Sequence, residues 1–143
     1  MTGVQTCALP IYLALARRFT ATDYVTAQRI RTRMIQHFKD AFQSVDVILT
    51  PTTGLPAPAI PTNALPDGNS DLTTTVEIMR FVTAANLTGL PAISFPAGYT
   101  SRDLPIGMQA IGKPWDESTL LRLALAAERL VERKTPQVLY SVL

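Results

Sequence analysis

The sequence predicts an α/β fold, a mixed β-sheet flanked by helices, and three observations carry that reading. Apolar residues recur at helical spacing over 22–44 and again over 117–132. Short apolar runs with strand character stand between them. The resulting order of helix, strand, loop, helix, two strands and helix suits a single layered domain. With 143 residues, 47% of them hydrophobic and 17% charged, the chain is long and apolar enough to bury a core.

In the first helix, Tyr24, Ala27, Ile30, Met34, Phe38, Ala41, Phe42 and Val45 form one stripe, with Arg29, Arg33, Gln36 and Lys39 facing outward. Its start is marked by Thr20, three residues before Asp23, or by Thr22 as the cap itself. The segment from Leu13 to Phe19 reads as the end of an earlier helix. Asp46-Val47-Ile48-Leu49-Thr50, closed by Pro51, is an apolar run rich in β-branched residues, as expected of a strand buried on both faces. Pro51, Pro56, Pro58, Pro61 and Pro66 with Gly54 and Gly68 then impose a long irregular loop.

A second helical tendency covers 72–85, with Val76, Met79, Phe81 and Val82 as expected core contacts. Ala92-Ile93-Ser94-Phe95 and the run 106–111 read as an antiparallel pair joined through 98–105. Gly107 within the second strand predicts a bulge or a close approach by another backbone. Asp116 caps the last helix, whose stripe is Leu120, Leu121, Leu123, Ala124, Ala127, Leu130 and Val131, and Arg133 and Lys134 follow at its positive-charge-favouring end.

Composition excludes several functions. The net charge is +2 and the basic residues are scattered, so they read as solvated helix faces rather than as a nucleic-acid footprint. A single cysteine, Cys7, rules out an internal disulfide and a cysteine-rich metal site. A single histidine, His37, rules out a two-histidine zinc motif, and no Gly-x-Ser-x-Gly elbow is present; His37 is expected to be an ordinary surface or half-buried residue. No run approaches the roughly 20 apolar residues of a membrane span. No metal or cofactor is expected, and a cytoplasmic setting is the default.

Residues 1–11, Met-Thr-Gly-Val-Gln-Thr-Cys-Ala-Leu-Pro-Ile, resemble the translation of a common short-read sequencing adapter in one frame from a GTG start. They are therefore expected to be foreign to the fold, which would occupy 12–143 as part of one domain.

The motifs between these elements resemble the amidase signature family. Its C-terminal region has an Asp-x-(Ile/Leu/Val)-Leu-x-Pro-Thr strand end, here Asp46 to Thr52, and an Asn-x-x-Gly-x-Pro turn, here Asn86 to Pro91. A Pro-x-Gly hairpin stands at Pro96-Ala97-Gly98, and a Leu-Pro-x-Gly-x-Gln strand at Leu104 to Gln109. The likeness covers about 22–132, and in this order and spacing the pieces are specific. Gly112-Lys113-Pro114-Trp115 and the ending Pro136 to Tyr140 look most like the branch containing plant fatty acid amide hydrolases.

The resemblance implies a cofactor-free amidase acting on linear carbon–nitrogen amide bonds through a serine, a second serine on a cis peptide bond and a lysine. No residue here matches those motifs, and the only lysines are Lys39, Lys113 and Lys134. The expectation is therefore a C-terminal fragment, inactive alone, from a parent that binds a small-molecule amide and could be a homodimer. Its open strand edges are expected to cause self-association.

Thr52, Asn86, Gly89 and Pro91 are the substrate-pocket candidates, because ligands of open α/β sheets bind beyond strand ends. Against that stand structural roles: Asn86 pinning the loop, Gly89 supplying a positive φ, Gln109 satisfying buried backbone and Trp115 anchoring the helix start on the sheet. Two other readings are a free-standing binding module and a fragment of the larger glutaminyl-tRNA amidotransferase assembly, from its A subunit.

Overall fold

The computed structural model describes residues 13–63 and 71–134. The expectations for residues 1–11, Cys7, Pro66, Gly68 and the Pro136–Tyr140 ending lie outside the described residues. The helices are α1 (Ala21–Ala41), α2 (Leu72–Ile78), α3 (Val82–Thr88) and α4 (Glu117–Glu128), and the strands are β1 (Val47–Pro51), β2 (Ala92–Tyr99) and β3 (Pro105–Gly112). The strands form one sheet in the order β1-β3-β2, antiparallel throughout. The α/β architecture and the hairpin follow the sequence reading.

Thr20, rather than Thr22, starts α1. Its hydroxyl accepts from the Asp23 N–H at 3.2 Å, and its own N–H donates to the Asp23 carboxylate at 2.8 Å, a complete capping box. Only the far end of α1 reaches the sheet. Phe42 is buried and Phe38 half-buried, with rings 6.2 Å apart, while Tyr24 and Ile30 are exposed because the first half of α1 has nothing described against it; Val45, past the end of α1, is exposed as well. Arg31, expected in solvent, instead donates from Nε to the Leu87 carbonyl at 2.7 Å. That carbonyl belongs to the last turn of α3, where the helix supplies no partner of its own.

The helix expected over 72–85 is two short ones, α2 and α3, separated at Met79–Phe81. At the break the Arg80 N–H bonds to the Glu77 carbonyl at 3.4 Å and the Val82 N–H to the Met79 carbonyl at 3.1 Å, tight three-residue turns that replace the four-residue helical ladder. Asp71 caps α2, accepting from the N–H groups of Thr73 and Thr74 at 3.0 and 3.1 Å. Val76, expected in the core, is 67% exposed, and Met79 is exposed as well; Ala85 and Thr88 are buried instead.

Two clusters sandwich β3. On one face Ile111 packs with Phe42, Ala85, Ile48 and Leu90; on the other Ala110 packs with Phe95, Leu120, Val47 and Met108. Strand β1 is not buried on both faces: it is an edge strand, and Leu49 is 49% exposed. Helix α4 stops at Glu128 and packs across β2 and β3 through Leu120, Leu123, Ala124 and Ala127, leaving Leu121 and Leu130 exposed. The Asp116 carboxylate accepts from the Ser118 and Thr119 hydroxyls at 3.2 and 2.8 Å and makes no bond to a helix N–H.

The bulge lies on β2, between Pro96 and Gly98, rather than at Gly107. Gly107 is the site of a close approach, but by a side chain: a Cβ there would stand 2.8 Å from Thr52 Oγ1. At the hairpin tip, Lys134 pairs with Asp103, its Nζ lies 5.1 Å from the Tyr99 ring centre, and its N–H donates to the Tyr99 hydroxyl at 2.8 Å. This group ties the residues after α4 to the end of β2.

Three outcomes follow from these contacts. Thr20→Ala should lower the thermal midpoint followed by circular dichroism by a few degrees, because the Asp23 N–H loses its side-chain acceptor. Gly107→Ala should destabilise the fold by about 1–3 kcal/mol through overpacking, and Thr52→Ala in the same background should recover part of that in urea titrations. The third concerns pH. The Thr20 N–H and hydroxyl hold the Asp23 carboxyl below its ordinary value, and the Thr74 hydroxyl and N–H do the same for Asp71. Stability from carboxyls lowered on folding is present above the unfolded value and lost as pH falls through the folded one. The urea midpoint should therefore drop below about pH 4, and Asp71→Asn should make that drop shallower.

Candidate functional site

The four pocket candidates fall in two places. Asn86 lies in the last turn of α3, and Gly89 and Pro91 occupy the turn from α3 into β2. Gly89 ends α3 at φ 73°, its N–H donating to the Ala85 carbonyl at 2.9 Å, and no atom would crowd a Cβ there. Backbone conformation, rather than space, is what calls for glycine. The Pro91 carbonyl accepts from the Gly112 N–H at 2.9 Å, which lashes the turn to the end of β3. Asn86 is exposed, and among the described residues its side-chain amide has no hydrogen-bond partner, so it does not pin the loop.

These three residues line a groove of about 690 Å³ together with Phe38 of α1, Phe42 at its C-cap, and Lys113, Pro114 and Trp115. The volume lies within the range of small-molecule sites, and the walls are mostly apolar with a few polar groups. Lys113 is held at one side by Asp46, Nζ to Oδ1 2.9 Å, a pairing that β1 and β3 produce by placing Val47 opposite Gly112. Trp115 does not anchor the helix start on the sheet. It is 93% exposed, on a backbone with φ 65°, a conformation rare for a bulky side chain.

Thr52 lies at the other end of the sheet. Its N–H donates to the Gly107 carbonyl at 3.0 Å, and its hydroxyl stands 2.6 Å from that of Ser94. Ser94, Gln109 and Thr50 are cross-strand neighbours. They therefore share one face and place a polar row in an otherwise apolar sheet. Gln109 is buried and donates from Nε2 to Thr50 Oγ1 at 3.1 Å and to the Phe81 carbonyl at 3.2 Å, which is the backbone-satisfying role expected of it. Sequence reasoning missed Ser94, because only the register of β2 on β3 brings it to Thr52. A polar residue in the alternation of 92–95 was the available signal.

A hydroxyl becomes a nucleophile when a neighbouring base takes its proton. Among the described residues no lysine, histidine or carboxylate bonds to Thr52 or Ser94, so this pair has no such base. His37 is exposed on α1, and among the described residues no group of three His, Cys, Asp or Glu side chains is placed to hold a metal ion. No helix among them is long and apolar enough to cross a membrane. What the described residues arrange can shape and line a pocket.

The model of the amidase family matches residues 7–121. The fatty acid amide hydrolase of Medicago truncatula is 54% identical over 92% of this chain, and that of Arabidopsis thaliana 49% identical over 91%. The chain spans about 22% of the length of either relative. Among solved structures, the A subunit of the Thermotoga maritima glutamyl-tRNA(Gln) amidotransferase superposes with a TM-score of 0.67 at 28% identity, covering 85% of this chain and 25% of that one. With the family model matching residues 7–121 and the turn motifs in their order, the chain belongs to the amidase family, the amidase signature enzymes.

Proposed function

We propose that this chain is the C-terminal portion of an amidase that hydrolyses the carbon–nitrogen bond of linear, fatty acyl amides. The observation that carries the reading is the 54% identity to a fatty acid amide hydrolase, sustained over 92% of the chain. The Thermotoga amidotransferase shares the fold at 28% identity, and the sequence likeness to the plant hydrolases outweighs it.

In this reading the serine nucleophile, the cis-linked serine and the lysine base belong to a part of the enzyme outside this sequence. The present residues supply scaffold and pocket wall. Asn86, whose amide has no hydrogen-bond partner among the described residues, is able to donate to a substrate carbonyl or accept from its N–H in the groove. Gly89 and Pro91 fix the turn that follows it. Thr52 and Ser94 form a separate polar patch at the opposite end of β3.

The test is a chimera in which the Medicago enzyme carries this chain, residues 12–143, in place of its own matching segment. The chimera should hydrolyse a fatty acyl ethanolamide, and this chain alone should not. Asn86→Ala in the chimera should raise KM about five- to tenfold, the loss of one hydrogen bond of about 1 kcal/mol. A folded chimera inactive on every amide offered, or turnover by the repurified chain alone, defeats the reading.

A further inference from the structure

We propose that Trp115 is a specificity-determining residue of the groove, a clamp that holds the acyl chain of an amide substrate between its indole ring and the rings of Phe38 and Phe42. The proposal rests on the functional reading above and gives a role to a side chain which that reading leaves without one.

The backbone gives the first indication. The Asp116 N–H donates to the Lys113 carbonyl at 3.2 Å, closing a β-turn in which Pro114 stands second and Trp115 third. Trp115 has φ 65°, and a turn with proline second and a positive φ third calls for glycine or asparagine. A bulky aromatic is strained there. Packing does not explain its presence, because the side chain is 93% exposed. Strain retained where no packing requires it points to a ligand.

The surroundings indicate which ligand. Trp115 lines the groove with Phe38, Phe42, Leu90 and Pro91, and Asn86 brings an amide group to the same walls. The charge of Lys113, two residues before Trp115, is already partnered by Asp46 at 2.9 Å. Aromatic and aliphatic walls beside one amide-binding side chain suit an amphiphile with an amide head and a hydrocarbon chain better than a polar solute. Such a chain would also cover the indole ring, removing from water an apolar surface that nothing else described here covers.

Trp115 is the only tryptophan in the sequence, so its fluorescence reports on the groove directly. Palmitoyl ethanolamide, added to this chain below its aggregation concentration, should shift the emission to the blue and protect it from acrylamide quenching in a saturable way. Acetyl ethanolamide should do neither. In the chimera with the Medicago enzyme, Trp115→Gly should raise KM for palmitoyl ethanolamide about tenfold more than KM for acetyl ethanolamide, and Trp115→Phe should restore most of that difference. The glycine variant also separates binding from folding: it relieves the positive φ and removes no packed side chain, so its urea midpoint should equal or exceed that of the unsubstituted protein.

If this chain does not fold alone, as circular dichroism would show, the KM comparison in the chimera decides the matter. Emission from the folded chain that does not move with palmitoyl ethanolamide, equal KM changes for the two amides, or a glycine variant that loses stability would overturn the proposal. A saturable shift with the palmitoyl amide beside a folded chimera inactive on every amide would sink the functional reading alone.

Discussion

Strand β3 is the constraint on which everything else here depends. It is the central strand and pairs with both neighbours, and its Gln109-Ala110-Ile111-Gly112 stretch is buried. Successive residues of a strand point to opposite faces, so Ala110 and Ile111 seed the two hydrophobic clusters separately. Gly112 lets Leu120 approach: a Cβ there would stand 3.0 Å from the Leu120 side chain, so α4 could not pack as closely over a larger residue. A buried amide in the same strand, Gln109, reaches across to Thr50 and to the Phe81 carbonyl, and so ties β1 and the start of α3 to the sheet. Leaving that side chain unpaired in a buried position would cost more than its bonds contribute.

The candidate groove is a consequence of how β3 ends. Where β3 gives way to Lys113, the Pro91 carbonyl and the Asp46 carboxylate meet it from β2 and β1. The end of α3 carrying Asn86, with Gly89 after it, is thereby placed beside the Phe38 and Phe42 rings. The surface ion pair of Lys113 with Asp46 contributes little to stability; its effect is positional. At the opposite end of β3, the absence of a side chain on Gly107 gives Thr52 room to sit over the strand and meet Ser94. The two polar regions are thus separated by the length of one strand, and the four candidate residues do not form one site.

Much of this was legible in the sequence. The hairpin, the capping motif at Thr20 and Asp23, the positive φ at Gly89 and the backbone-satisfying role of Gln109 all follow from local chemistry: turn residues, side-chain reach and the cost of a buried amide. Errors arose where a residue's fate depends on what lies against it. Val76, Met79 and Leu49 are apolar and were expected inside, but burial needs a partner surface, and none of the described elements covers them. Trp115 failed for the same reason. The Arg31 bond to Leu87 and the Ser94 contact with Thr52 join residues far apart in sequence, and no periodicity reports such pairs.

The sequence by itself determined the kinds of element, the turns that separate them and the family, because capping, glycine conformation, apolar periodicity and motif spacing are set by neighbours along the chain. Only the tertiary structure decided which strand lies in the centre, which edges stay open and which polar groups meet. Those outcomes depend on register and on packing between distant segments, where a shift of one residue would exchange the two faces of a strand.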